Sequence, residues 1–412
     1  MAIEIDILKN ERKLSDLPFI INRHCTIEES MEFKLTRSQM EIQKAARDFT
    51  KSEFDKELAS EMDKKSEFPQ EIHQKAAELG FTSIHLDEQY QGGGLEFLEN
   101  ALMAEALCRK DSTLGSALML SGFGSDLLND FGSKELKSKF LTCVAEGEML
   151  SSATIETFSS SNTVKDIQLK ASRTNDSWVI NGQVNTMINA DLSGFYCVLC
   201  QTDPAEPPQK SMSMILVEKE REDISIVNTG PKLGLRMTPM ADLKFEDVRV
   251  PLENIIGKTG DGLKQMISFN NQSSVLIAAL SLGTAEGVLD RTLSYVKQRS
   301  QFGKKIAEFP ATRHKLAQMA LKIEQSKMMT YQAAWQIGQK KQDKALPAMA
   351  KLTATQTALE CAHEAIQLHG GYGYSTEYEV ERFCRDAKTL HLLGGSPGSL
   401  NDAIADTVIG KL

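Results

Sequence analysis

Three short patterns in this chain have the residue types and spacing for chemistry. Cys197 and Cys200 form a C-x-x-C, a spacing used for zinc binding and thiol–disulfide exchange. Its setting, YCVLC, reads as a β-strand, on which residues three apart point to opposite faces. No second pair or histidine cluster accompanies it, so two buried strand cysteines are expected and no metal site. Gly92, Gly93 and Gly94 form a glycine run of the kind that can cradle phosphate with backbone amides. No suitable strand precedes it and no Lys-Ser/Thr follows it, which predicts a tight turn between helices. The third pattern is the charged run Glu377, Glu379, Glu381, Arg382, Arg385 and Asp386, whose spacing predicts a solvated helix with ion pairs.

The elements that must position these residues follow from periodicity. Of 412 residues, 41% are hydrophobic and 25% charged, ordinary for a globular chain with a sizeable core. The net charge of −9 argues against nucleic acid as a partner, since phosphate binding needs a basic face. The continuous apolar runs are too short to predict a membrane span. The N-terminus carries Glu4, Asp6 and Glu11, unlike a secretory or transit leader, and the expected location is cytoplasmic. Seven cysteines, an odd number in a large chain, do not suggest a disulfide framework.

Residues 1–30 read as an N-terminal extension and 31–150 as a helical domain, with Pro69 suited to start a helix and Gly80 to stop one. The period changes near 150. SWVINGQVNTMI reads as two strands about an Asn181-Gly182 type I′ hairpin, and further short strands predict a small antiparallel barrel or sandwich over 151–257. From 258 to 412 the pattern is helical again, with four long stretches at about 262–297, 309–340, 345–369 and 377–393 that predict a four-helix bundle. The fold class is therefore α+β and multidomain, in the order helical, β, helical.

Two C-terminal motifs sharpen this reading. VKQRSQFGKKIAEF, from Val296, is similar to the R-x-Q-F-G-x-x-I-x-x-F segment of acyl-CoA dehydrogenases. QLHGGYGYSTEYEVERFCRDAK, from Gln367, matches that family's Q-x-x-G-G-x-G-Y run almost residue for residue, and LGLR at 233–236 and FEDVRVPLENIIG at 245–257 resemble its β-domain exit. The resemblance covers about residues 32–412. It implies FAD, lying extended across a subunit interface with its ADP half on one subunit's bundle. By the same resemblance Arg299 reaches the pyrophosphate, Gln301 and Phe302 line the adenosine end, and Gln367, Gly370 and Gly371 give the dinucleotide close backbone approach. An arginine fork suits phosphate oxygens, and a missing Cβ admits a ligand. Gly370, Gly371 and Gly373 would also end one helix and begin the next.

The resemblance breaks at the reacting centre. The family removes an α-proton from an acyl thioester with a Glu in a Y-E-G-T motif. This sequence has LLGGSPGSL there, with Gly394 at the Glu position. Members that carry the base on the first helix of the bundle have it where this chain has Ser273. Neither residue replaces a carboxylate, and general base catalysis is typically worth about 10²–10⁴-fold. The family's T-E-P-x-x-G-S-D loop reads IETFSSSN at 155–162, its W-I-T-N strand reads TMIN at 186–189, and its CoA-binding Arg is Ser274. Asp87, Glu88, Asp126 and His391 are the candidate substitutes, none of which stands out.

Three functions remain open on the sequence. The chain is an acyl-CoA dehydrogenase-like oxidoreductase with a relocated base, acting on a CH–CH group of an unusual acyl thioester, cyclic or unsaturated. Alternatively it is a non-catalytic subunit of a mixed tetramer that lends the ADP half of a partner's FAD site. Or it is a redirected flavoprotein, an oxygenase, N-oxidase or carrier-protein thioester oxidase. The resemblance further implies a homo- or hetero-tetramer and an electron-transfer flavoprotein as acceptor.

Overall fold

The computed structural model describes residues 34–154, 169–207, 209–228, 230–340 and 345–410. The chain divides into two units, Met1–Arg37 and Ser38–Leu412, of which the first is described only at 34–37. The expected extension at 1–30 and the IETFSSSN loop lie outside the described residues.

Seven helices come first: α1 (Arg37–Glu53), α2 (Lys56–Lys65), α3 (Gln70–Glu78), α4 (Phe97–Lys110), α5 (Ser112–Met119), α6 (Ser125–Phe131) and α7 (Lys134–Ala145). Their starts follow capping chemistry. Asp55, Asp111 and Ser133 each accept a hydrogen bond from a backbone N–H of the first turn of α2, α5 and α7. Pro69 precedes α3, and Gly80, at φ +73°, follows it in the left-handed region that favours glycine. The Gly92–Gly94 run is a turn ahead of α4 whose amides are already used: Gly92, Gly93 and Gly94 donate to the carbonyls of Asp87, Ser83 and Leu86. A Cβ on Gly92 would lie 2.2 Å from the Leu86 carbonyl oxygen. The glycines are there for close backbone packing.

The middle region is a seven-stranded sheet of β1 (Leu150–Ala153), β2 (Lys170–Arg173), β3 (Ser177–Ile188), β4 (Ser193–Gln201), β5 (Met212–Glu218), β6 (Ile224–Asn228) and β7 (Met240–Pro251). Its path runs β1-β4-β2-β3-β7-β6, with β5 on β4. The pairing is antiparallel except that β1 and a single β2 residue lie parallel to β4. The Asn181-Gly182 hairpin expected from the sequence is not a hairpin. β3 runs straight through it, with Gly182 at φ +126° and a register shift against β7. Asn181 and Asp247 exchange two 2.9 Å hydrogen bonds across the strands and hold this bulge. The turn falls earlier, at 174–176, where Thr174 and Ser177 bond each other. On β4, Cys197 and Cys200 do point to opposite faces, into two separate apolar cores.

The last region is helical: α8 (Gly262–Gln298), then a two-stranded hairpin β8 (Ser300–Gln301) and β9 (Lys304–Lys305), α9 (Pro310–Gly338), α10 (Leu346–His369), α11 (Val380–Leu392) and α12 (Pro397–Ile409). By length and composition α8 could cross a membrane, yet 89% of its most apolar window is buried among the other helices. It is the core helix against which α4, α9, α10 and α11 pack.

The charged run at 377–386 was expected to be solvated, and two of its six charges are not. Arg382 and Asp386 are buried. Arg382 pairs with Asp111, the cap of α5, at 2.7 Å. Asp386 accepts from Thr113 Oγ1 at 2.6 Å and from the Leu235 N–H at 2.7 Å. Burial pushes the Asp386 carboxyl up to about 6. Gly234 completes the joint, since a Cβ there would sit 2.3 Å from the Arg385 carbonyl oxygen. Thus L-G-L-R and E-R-x-x-R-D-A-K, read apart in the sequence, are two halves of one packed junction between α5, the β6–β7 connection and α11.

Candidate active site

Two groups of residues are drawn together. The first lies where α8 and α10 end side by side. Tyr295 stacks on His369 with ring centroids 4.2 Å apart and donates to the His369 carbonyl. This fastening brings the β8–β9 hairpin to the glycine turn after α10. The Arg299 guanidinium lies 5.6 Å over the ring of Tyr372, the residue after Gly371. Gln301 is exposed on β8, and Phe302, in the hairpin turn at φ +52°, is 93% exposed. Gln367 is exposed on the last turn of α10. Gly370 turns the chain at φ +62°, and a Cβ on Gly370 or Gly371 would meet no atom within 4 Å among the described residues beyond its chain neighbours. Gly373 differs, for its Cβ would strike the Ile366 carbonyl at 2.5 Å. Gly373 is explained by internal packing and Gly371 is not.

The second group is internal. A small cavity of about 10 Å³, room for one water-sized group, lies between α4, the α5–α6 corner and α8. Ser273 lines it from α8, Asn100 from α4, Thr82 and His85 from the turn after α3, and Asp126 from the first turn of α6. Asp126 is its one carboxylate among the described lining residues. His85 Nε2 lies 2.7 Å from Asp126 Oδ1. Burial pulls the His85 imidazole down, but Asp126 more than offsets this and leaves it above the ordinary histidine value. Asn100 also favours the charged ring, although neither His85 Nδ1 nor Asn100 Oδ1 completes a hydrogen bond of normal geometry. Thr82 Oγ1 and Ser273 Oγ are likewise buried without a partner among the described residues.

The other sequence candidates fall outside this cavity. Asp87 caps a 3-10 turn by accepting from the Gln89 N–H, and Asp87 and Glu88 are exposed. His391 is buried, with Nδ1 3.2 Å from Thr355 Oγ1, and burial followed by the nearby lysines lowers its pKa. Gly394 is at φ +63°, and its carbonyl accepts a hydrogen bond from Lys351, a fully buried amine on α10 that burial brings down to about 7. Ser274 is buried beside Ser273 on α8, and Thr186, the first residue of TMIN, is exposed at a bulge with φ +56°. Sequence reasoning singled out Asp126 but missed His85, Asn100 and Lys351. No linear spacing ties His85 to Asp126, 41 residues away.

Comparison with known proteins places this geometry. Family models match three consecutive stretches: the acyl-CoA dehydrogenase N-terminal domain at residues 36–148, its middle domain at 156–248 and its C-terminal domain at 260–409. The chain belongs to the acyl-CoA dehydrogenase family. "Probable acyl-CoA dehydrogenase YngJ" of Bacillus subtilis is 33% identical over 89% of this chain and 96% of its own length. Glutaryl-coenzyme A dehydrogenase, solved as a glutaryl-CoA complex, superposes with a TM-score of 0.87 at 30% identity, covering 92% of this chain and 97% of that one. "PigA with FAD and proline" superposes at 0.85 with 26% identity, over 92% and 99% of the two chains. The helical, β, helical order is thus the three-part acyl-CoA dehydrogenase fold, and the family's relatives imply a flavin cofactor.

Proposed function

We propose that the chain is an FAD-dependent oxidoreductase acting on a CH–CH group of an acyl thioester, with its proton acceptor relocated from both family positions. The observation that carries this reading is the buried cavity holding Ser273, one of those positions, together with a His–Asp pair. FAD, when bound, would supply the acceptor for the hydride that leaves the β-carbon. The exposed cluster fits the ADP half. Arg299 would donate to a pyrophosphate oxygen, Gln301 and Phe302 would flank the adenosine, and Gln367 with the bare backbone at Gly370 and Gly371 would let the dinucleotide lie close. Inside, the cavity beside Ser273 has room for no more than one water-sized group. Ser273 and Gly394 hold no proton acceptor, so the α-proton, or the acidic proton of an unsaturated or cyclic acyl group, passes to another side chain.

The exposure of the first cluster also supports a second reading, in which this chain lends the ADP half to a partner's FAD site in a mixed tetramer. Both readings have an electron-transfer flavoprotein as acceptor. They part on one measurement: the absorbance spectrum and subunit mass of the protein purified alone, then titrated with saturated acyl-CoAs under anaerobic conditions. One FAD per chain in a homotetramer, bleached by a thioester, is expected. A colourless protein that gains flavin only when co-expressed with a paralogue would favour the partner role. Bound flavin with turnover only on an amine, or only on a carrier-protein thioester, would favour the redirected flavoprotein.

A further inference from the structure

Two carboxyl groups are buried together where α4, α8 and α9 meet, and the charges around them do not balance. Glu105 on α4 and Glu286 on α8 are 3% and 5% exposed. Their carboxyl groups stand within hydrogen-bonding reach of each other. Lys327 on α9 bonds Glu286 Oε1 at 2.6 Å and lies 3.7 Å from Glu105 Oε1, so one ammonium serves both. Arg109 on α4 gives hydrogen bonds of 2.7 and 3.1 Å to Asp290 on α8, and reaches Glu286 Oε2 at 3.3 Å. Glu324, also on α9, adds a more exposed negative charge 3.8 Å from Lys327. The phenol of Tyr331, on α9, donates to Glu105 Oε2 at 2.6 Å. From α1 the group in contact is Gln43, which is uncharged and donates to the Tyr331 hydroxyl at 3.4 Å.

One positive charge is missing from this set. Arg109 is committed to Asp290, which leaves Lys327 against two carboxyls, and two like charges in contact cannot both stay ionised in a core. A proton on Glu105 Oε1 closes the count. Glu105 then accepts from Tyr331 and donates to Glu286, while Lys327 and Arg109 neutralise Glu286. Burial, and after it the neighbouring Glu286, pushes the Glu105 carboxyl up to about 8 against the pull of Tyr331 and Lys327.

We propose that Glu105 and Glu286 share one proton at neutral pH, and that this proton is the latch holding α9 to α4 and α8. With it, a chain of donors and acceptors runs from Tyr331 through Glu105 and Glu286 to Lys327 and joins the three helices. Without it, two like charges face each other, and α9, which closes the chain at both ends, is the helix set loose. The sign follows from the raised carboxyl. The latch contributes fully below the unfolded glutamate value near 4.3 and is lost as pH rises to about 8.

Infrared difference spectra of the purified protein between about pH 6 and pH 9 read the proton directly. The carbonyl stretch of a buried protonated carboxyl should be present at the lower pH, fade at the higher, and be missing from Glu105→Gln at both. Lys327→Met removes the shared cation and should move that loss to higher pH. Hydrogen exchange of α9 reads the latch, because an amide at 105 keeps both hydrogen bonds and cannot ionise. The ratio of exchange rates, wild type over Glu105→Gln, should rise about tenfold or more between pH 6 and pH 9. Glu286→Gln also removes the like-charge contact and gives the same readout if Glu105→Gln does not fold. A ratio that stays flat across that range would overturn the latch, and a wild-type spectrum without the carboxyl band would overturn the shared proton.

Discussion

The two clusters of this protein are opposites. Arg299, Gln301, Phe302, Gln367 and Gly371 face outward; Phe302 meets Phe309 only edge-on, at 6.5 Å between ring centroids, and stays 93% exposed, while among the described residues nothing fills the space at the Gly371 Cβ. Thr82, His85, Asn100, Asp126 and Ser273 face inward; His85 and Asp126 hold each other, while Thr82 Oγ1 and Ser273 Oγ lack partners among the described residues. The outer cluster costs the folded chain little, because water satisfies it until a ligand arrives. The inner one carries a standing cost, since each unmet buried group forgoes a hydrogen bond. A substitution in the outer cluster should therefore change binding without changing stability. One in the inner cluster should change both.

The largest expected effect that would sharpen this contrast is at the inner pair. Asp126→Leu leaves His85 buried without its counter-ion and should cost about 3–5 kcal/mol. The sign of its pH dependence follows from the raised His85 pKa. The pair's contribution is fully present below the unfolded histidine value near 6.5 and is lost as pH rises through the higher folded value. Urea unfolding should thus show a large gap between the proteins at pH 6 and a smaller one at pH 9. A gap that grows with pH would contradict the pairing.

In the outer cluster, Gly371→Val should lower bound flavin by about tenfold or more, an effect of roughly 1.4 kcal/mol on binding. Its melting temperature should stay near the wild-type value, since the new Cβ meets nothing among the described residues. A variant that keeps its flavin would remove Gly371 from the proposed nucleotide site.

Gly394→Glu combines both behaviours. At φ +63° a side chain should cost about 1–2 kcal/mol of stability, measurable by denaturant titration. If the surrounding pocket is otherwise competent, ordinary α,β-dehydrogenation of a saturated acyl-CoA should rise. The smallest effect is Phe302→Ala, which should change stability by less than about 0.5 kcal/mol at so exposed a site. It should still weaken flavin retention, and unchanged retention would leave the exposed ring unexplained.

The sequence alone determined the order of the three regions, because helix and strand periods are local properties of the chain. It also determined the family, through runs such as VKQRSQFG and HGGYGYSTEY whose matches need no coordinates. Local signals misled where a neighbour decided the outcome. Asn181-Gly182 has the dipeptide of a two-residue turn, yet β7 pairs along the whole of β3 and Asp247 turns the signal into a bulge. The charges at 382 and 386 have the spacing of a surface helix, yet Asp111, Thr113 and the Leu235 amide bury them. Only the tertiary structure could place His85 on Asp126, or Lys351 beneath Gly394, because those pairs are 41 and 43 residues apart and on different elements. Periodicity reports which face of an element is buried; it does not report which polar atom from another element waits on the other side.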